Sequence, residues 1–229
     1  MDENYVIESI GVEQVFPVAD GDDFVALKDI NVQIPRSGLT ILKGKSGSGK
    51  TTLLNVLSAL DRPVKGEVFF DGEDIVAMED EEREKIRRYS IGYIFQSVAL
   101  IPMMTAYENV EFALKLSNYK GDYKERITEC LKKVGLQERM SHMPREMSGG
   151  EQQRVAIARA IAHKPKVIFA DEPTAELDTI TSLQVVKVFK ELIEKENISI
   201  IMTTHDTGLM DIGDVCYEME DGEIIGIYK

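Results

Sequence analysis

Leu39-Thr40-Ile41-Leu42 runs into Gly44-Lys45-Ser46-Gly47-Ser48-Gly49-Lys50-Thr51, and a stretch from Thr51 to Leu60 follows with Leu53, Leu54, Val56, Leu57 and Leu60 apolar. The order reads as a short buried strand, a glycine-rich loop and a helix. The loop matches the phosphate-binding pattern G-x-x-x-x-G-K-[ST], and a strand before it with a helix after it is the context that pattern requires. Its glycines let the backbone wrap an anion with the N–H groups turned inward. Lys50 is placed to reach the β- and γ-phosphates of a nucleotide, the Thr51 hydroxyl to ligate Mg²⁺, and Thr52 to add a phosphate contact. The helix that starts here turns the positive end of its dipole toward the same anion.

Outward from this loop, strand and helix patterns alternate. Tyr5 to Ile10 and Phe24 to Ile34 read as strands, the second closed by Pro35-Arg36-Ser37-Gly38. Gly66 to Gly72 reads as a strand ending in an Asp-Gly turn, Glu79 to Arg88 as a charged helix facing water, and Ile91 to Phe95 as a strand. Ala106 to Leu116 and Tyr123 to Val134 read as helices, as does the run from Ser148 to about Ala162. Val167 to Ala170 and Ile198 to Met202 are continuous apolar runs, the pattern of strands buried on both faces. Thr181 to Glu194 is an amphipathic helix, and Cys216 to Tyr228 holds two short edge strands around Asp221-Gly222. The expectation is an α/β fold with a mostly parallel sheet and a helical insertion between Gln96 and Ser148.

The chain has 229 residues and a net charge of −13. That length fits one domain able to bury a sizeable core. The charge repels phosphate backbones, which argues against nucleic acid as a main partner. No apolar run approaches the ~18 residues of a membrane span. The start, Met1-Asp2-Glu3-Asn4-Tyr5, lacks the basic residues of a secretory signal. Cys130 and Cys216 show neither metal spacing nor a disulfide framework. If the protein works at a membrane, another polypeptide must supply the span.

A second string, Met147-Ser148-Gly149-Gly150-Glu151-Gln152-Gln153-Arg154, opens a helix. Ser148 and Glu151 form a capping box, which alone would explain them. The paired glycines go further, because a helix start does not need them and a phosphate approaching the backbone does. The apolar strand Val167–Ala170 ends in Asp171-Glu172. Beside a phosphate loop, the first carboxylate suits Mg²⁺ through water and the second suits orienting and polarising an attacking water. Taken alone, His205 after Thr203-Thr204 is an ordinary loop residue as readily as a phosphate contact. Gln96 is uninformative by itself, and Phe16 fits the core as well as an adenine ring.

In order, Gly44–Thr51, Gln96, Ser148–Glu151, Val167–Glu172, Ala175-Glu176-Leu177-Asp178 and His205 resemble the motifs of an ABC (ATP-binding cassette) nucleotide-binding domain. The resemblance covers essentially the whole chain and looks closest to the MacB/LolD-type macrolide and lipoprotein exporter branch. It implies a P-loop NTPase fold with a RecA-like core, an antiparallel β-subdomain and a helical subdomain. In one domain over 1–229, the core and β-subdomain would occupy 1–96 and 146–229. The helical subdomain would occupy 97–145, extended by the signature helix to about 162. It implies that Glu172 is the catalytic carboxylate, His205 the switch histidine and Gln96 the residue that contacts Mg²⁺ and senses the partner. Asp178 would sit at a dimer interface, Phe16 against adenine, and Ser148, Gly149, Gly150 and Glu151 at the ATP of the other protomer. Glu151 stands where Gln is commoner and Met147 where Leu is usual.

The function so implied is an ATPase subunit with ATP and Mg²⁺ as cofactors, a homodimer when ATP is bound. It would sit at the cytoplasmic face of the membrane and energise a separate transmembrane permease, by export or MacB-like mechanotransmission. The rivals are a signalling ABC ATPase that drives a membrane protein without transport, and a soluble ABC ATPase acting on DNA or ribosomes. Only 51 residues separate Gln96 from Ser148, too few for the long coiled coil of chromosome-acting relatives.

Overall fold

The structure is a computed structural model describing residues 4–229 apart from 20, 176, 207 and 209–211. In chain order its main elements begin with β1 (Tyr5–Phe16), β2 (Phe24–Pro35), β3 (Leu39–Lys43), α1 (Lys50–Leu57), β4 (Lys65–Phe70) and β5 (Glu73–Asp74). There follow α2 (Asp80–Ser90), β6 (Ile91–Ile94), α3 (Ala106–Leu116), α4 (Tyr123–Lys133) and α5 (Gly149–Ile161). The chain closes with β7 (Val167–Ala170), α6 (Thr179–Glu196), β8 (Ser199–Thr204), β9 (Val215–Glu220) and β10 (Glu223–Tyr228).

A six-stranded sheet in the order β10-β9-β3-β8-β7-β6 is parallel except for the β9–β10 hairpin. An antiparallel sheet in the order β2-β1-β4-β5 lies over one face of it. The continuous apolar strands serve two cores at once, because successive side chains point to opposite faces. Val167 and Phe169 join the core shared with the antiparallel sheet and α1, whereas Ile168 and Ala170 join the core shared with α3, α4, α5 and α6. Ile201 and its neighbours Ile200 and Met202 divide in the same way. Each large apolar side chain buried here contributes about 1.5–3 kcal/mol, so both cores hold these strands in register.

α1 starts at Gly49 with no side-chain cap, whereas α2 to α6 start where side chains satisfy their free N–H groups. Thr105 and Glu108 form a capping box at α3, and Asp122 accepts from the Glu125 N–H at α4. α1 is shorter than the Thr51–Leu60 stretch suggests. It closes at Ser58, Ala59 takes a positive φ of 59°, and Leu60 turns toward solvent. The first strand runs six residues past Ile10 and ends at Phe16.

One expectation is corrected. β9 is not an edge strand: it lies between β3 and β10, parallel to β3, and only β10 forms the edge. Its Glu218 gave the strand a half-polar look, but that carboxylate is met by Lys43 Nζ at 3.0 Å and by the Tyr228 hydroxyl at 2.9 Å.

α3 and α4 pack on α5, and an ionic cluster around the buried Arg126 closes one end of this helical group. Arg126 on α4 is 3% exposed and donates to the carbonyls of Ile161 (2.6 Å) and Ala162 (2.8 Å), at the end of α5. It also donates to Glu129, while Lys133 bridges Glu129 and Glu196 at the end of α6.

Candidate functional site

β3, β8 and β7 are parallel neighbours, so their C-terminal ends lie side by side. The glycine loop leaves β3, His205 follows β8, and Asp171-Glu172 follow β7. This end of an open parallel sheet is where such folds place ligands.

Two of the loop's glycines are required by their surroundings. A Cβ on Gly44 would lie 2.4 Å from both the Met219 carbonyl and the Ser48 hydroxyl. Gly49, which caps α1, has φ +98° and a Cβ there would lie 2.7 Å from the Ala26 carbonyl. The Ser48 hydroxyl is buried, lies against the Gly44 backbone and has no hydrogen-bond partner among the described residues.

Lys50 is 5% exposed. Its ammonium donates to the Gly44 carbonyl (2.8 Å) and the Lys45 carbonyl (2.9 Å) and lies 3.6 Å from Glu172 Oε1. The loop backbone therefore holds the cation in place over its own rim. Thr51 Oγ1 donates to Asp171, 3.0 Å from Oδ2 and 3.2 Å from Oδ1. Thr203 Oγ1 donates to Asp171 Oδ1 at 2.7 Å and accepts from the Glu172 N–H at 2.7 Å. One hydroxyl on β8 thus fixes both acidic residues that follow β7. Glu172 sits at φ +43°, a left-handed conformation uncommon for a residue with a Cβ. His205 Nδ1 is 3.1 Å from Glu172 Oε2.

A cavity of about 570 Å³ lies beside the loop, bounded by loop residues with Phe24, Ala26, Gln96, Glu172 and His205. It is within the 300–1,000 Å³ range of small-ligand sites. Gly44 and Ser48 lie instead along a second hollow shared with β9 and β10. The Thr51 hydroxyl, the Asp171 carboxylate and the Gln96 side-chain carbonyl supply oxygen donors only. Among the described residues no group of three or more His, Cys, Asp or Glu could hold a metal. That donor set suits Mg²⁺, which binds through one or two carboxylates and keeps its remaining positions for water and phosphate.

Phe16 is 39% exposed, so it is not a core residue. It faces Phe24 across the β1–β2 ladder, and of the two rings it is Phe24 that bounds the cavity. Phe24 and Thr203 went unread in the sequence because their place depends on strand register. The only available signal was their pairing with Phe16 and with the strand bearing Asp171.

Ser148, Gly149, Gly150 and Glu151 do not bound this cavity. Ser148 caps α5, and Glu151 returns the contact to the Ser148 N–H at 2.8 Å. A Cβ on Gly150 would lie 2.5 Å from Thr181 Cγ2, whereas one on Gly149 would meet nothing within 4 Å. Asp178 caps α6, accepting from the N–H groups of Ile180 and Thr181 and from the Thr181 hydroxyl. That hydroxyl, first among its contacts, holds the Asp178 carboxyl below the usual range. Glu176 lies outside the described residues. The two thiols are buried, and burial pushes Cys130 up to about 11 and raises Cys216. Neither is a nucleophile at neutral pH.

A family model described as "ABC transporter" matches residues 27–175. The ABC transporter ATP-binding protein MJ1508 of Methanocaldococcus jannaschii is 45% identical over 204 residues, covering 89% of this chain and 91% of that protein. The macrolide export ATP-binding/permease protein MacB of Syntrophobacter fumaroxidans is 41% identical over 207 residues, 88% of this chain but 29% of that protein's length. The ATP-binding cassette MJ0796, also of M. jannaschii, was solved as a dimer in a post-hydrolysis state bound to ADP and Pi. It superposes with a TM-score of 0.90 at 37% identity, covering 97% of this chain and 98% of that one. Among the described residues no helix is long and apolar enough to cross a membrane. By motif order, fold and these likenesses, the chain belongs to the ABC transporter family, as one of its ATP-binding ATPase cassettes.

Proposed function

We propose that this chain binds Mg-ATP in the cavity beside the glycine loop, hydrolyses it, and uses head-to-tail dimerisation to drive a separate transmembrane permease of the MacB-like exporter branch. The observation that carries this reading is the convergence of Lys50, Thr51–Asp171 and Glu172–His205 at three adjacent strand ends. The loop N–H groups and Lys50 would hold the phosphates. Thr51, Gln96 and Asp171 would hold Mg²⁺, which when bound offsets charge on the phosphate oxygens. The carboxylate of Glu172 orients a water and draws its proton as the water attacks the γ-phosphorus. His205 meets that carboxylate through Nδ1 at 3.1 Å, which leaves Nε2 as the ring nitrogen for a phosphate oxygen.

The signature residues Ser148, Gly149, Gly150 and Glu151 would serve the ATP of a second protomer. That they stand apart from the cavity of their own chain supports this. Asp178 would lie at the same interface, and Phe16 with Phe24 would flank adenine. The MacB relative, whose length this chain matches only in part, names an ATP-binding and a permease function together, which supports a permease as the partner.

Glu172→Gln tests the reading. The variant keeps shape and hydrogen bonding but loses the charge that polarises water, so turnover should fall by roughly 10²–10⁴-fold. ATP binding should persist, and light scattering should show a monomer without nucleotide and a dimer with Mg-ATP. Near-normal turnover with no ATP-dependent dimer would sink both the catalytic role and the dimer.

A further inference from the structure

The start of α5 carries an acid where it has most to lose. An Asp or Glu in a helix's first turn stabilises the helix, but at a terminus that must receive a phosphate it opposes the incoming charge. In this chain both oxygens of Glu151 are engaged. Oε2 accepts from the Ser148 N–H at 2.8 Å, and Oε1 accepts from Arg139 Nε at 3.0 Å. The Ser148 backbone contact leads in holding the Glu151 carboxyl below its ordinary range, with Arg139 adding to it, so the acid is charged and the guanidinium is its counterion. The Glu151 side chain is 18% exposed and that of Arg139 46%, so the pair is partly shielded and screened less than one in open water.

Arg139 is also firmly placed. It closes the 3₁₀ turn Gln137–Arg139, and its N–H donates to the Leu136 carbonyl. Its Nη1 lies 3.2 Å from His142 Nε2, and the His142 carbonyl accepts from the Ala106 N–H at the start of α3. Arg139 and Ser148 therefore ride on the same helical group and keep their spacing when that group moves.

We infer that Arg139 is a positioning residue for the ATPase: by neutralising Glu151 it makes the Ser148–Gly150 helix start able to accept the triphosphate held by a second copy of this chain. The inference rests on the reading that this helix start acts in trans. Arg139 acts through Glu151 and not by touching phosphate, so its importance must vanish when Glu151 is neutral.

The test is a double-mutant cycle in the Glu172→Gln protein, titrated with Mg-ATP and read as dimer by light scattering. Arg139→Ala should raise the Mg-ATP concentration for half-dimerisation by about fivefold, the scale of an unmasked charge at an interface. With Glu151→Gln also present, Arg139→Ala should change it less than about twofold, because Gln still accepts from the Ser148 N–H and carries no charge. High salt should narrow the Arg139→Ala defect, since added ions screen the exposed carboxylate. An equal loss in both backgrounds, with or without a lowered melting temperature, would mean that Arg139 contacts phosphate or merely supports the fold, and would overturn the inference. No loss in either background would overturn it as well. If Glu172→Gln itself forms no dimer with Mg-ATP, the trans reading falls and this inference falls with it; a normal dimer with unchanged demand in Arg139→Ala removes this inference alone.

Discussion

At the scale of single residues, the aromatic pair that ends the β1–β2 ladder separates sequence from structure. Phe16 is the ring that the family resemblance singles out, yet Phe24 is the one that bounds the cavity, and the two are partners across one ladder. If both flank adenine, Phe24→Ala should weaken ATP binding more than Phe16→Ala, each by a modest factor. Neither should lower the melting temperature much, because the rings are 56% and 39% exposed. Calorimetry on the two variants decides it: a loss confined to Phe16→Ala would return the adenine to Phe16 alone. The loop Gly44–Thr51 and the pair Asp171-Glu172 were legible in the sequence because their chemistry is contiguous along the chain. Thr203 was not, although its hydroxyl fixes both acids, because it reaches them across a strand pair.

At the scale of elements, α5 is the helix whose two ends do different things. Its start is built from Ser148 and Glu151, and its end is held by Arg126. If the start works in trans, mixing Ser148→Arg protomers with Lys50→Ala protomers leaves one composite site intact and one broken twice. ATPase activity should then partly recover in verified mixed dimers of two inactive proteins; no recovery would count against the head-to-tail arrangement. Helices with strong caps were legible to within a few residues, α3 to the residue, and so was the continuously apolar strand β7. β9 was misread because alternation of Cys216, Tyr217 and Met219 with Glu218 and Glu220 looks like a half-exposed edge. What makes it an inner strand is pairing with β3 and the cross-strand Lys43–Glu218 contact, neither of which is local.

At the scale of the whole molecule, the ionic cluster under α4, α5 and α6 ties the helical group to the sheet's flanking helix and should mark the acid side of the stability curve. Burial pushes the Glu129 carboxyl up, but Lys133 and Arg126 outweigh it and hold it at about 2, against an ordinary 4.5. Because the folded value is the lower, the contribution is fully present above pH 4.5 and is lost as pH falls toward 2. Glu129→Gln should therefore melt lower than the unaltered protein at neutral pH and converge with it in acid. Parallel melting curves from neutral pH down to acid would remove the cluster from the ledger of stability. The Glu129 side chain is 46% exposed, so the effect is modest and shrinks with salt.

The same cluster gives the molecule a lever. A buried guanidinium on α4 that grips the last carbonyls of α5 makes that end a shared fulcrum of the two helices. α5 has 13 residues, and at 1.5 Å of rise per residue the arm from fulcrum to tip is about 20 Å, so a tilt of about 5° carries Ser148 through about 2 Å. The tip is held as well: Gly150 lies against Thr181, Arg139 meets Glu151 at 3.0 Å, Gln152 donates to the Pro144 and Met147 carbonyls, and Arg154 reaches Gln184 at 3.3 Å. Any tilt is therefore shared with α4 and with the segment before α5, and a substitution at Arg126 should loosen the coupling of α5 to α4 while leaving the contacts of the tip itself in place.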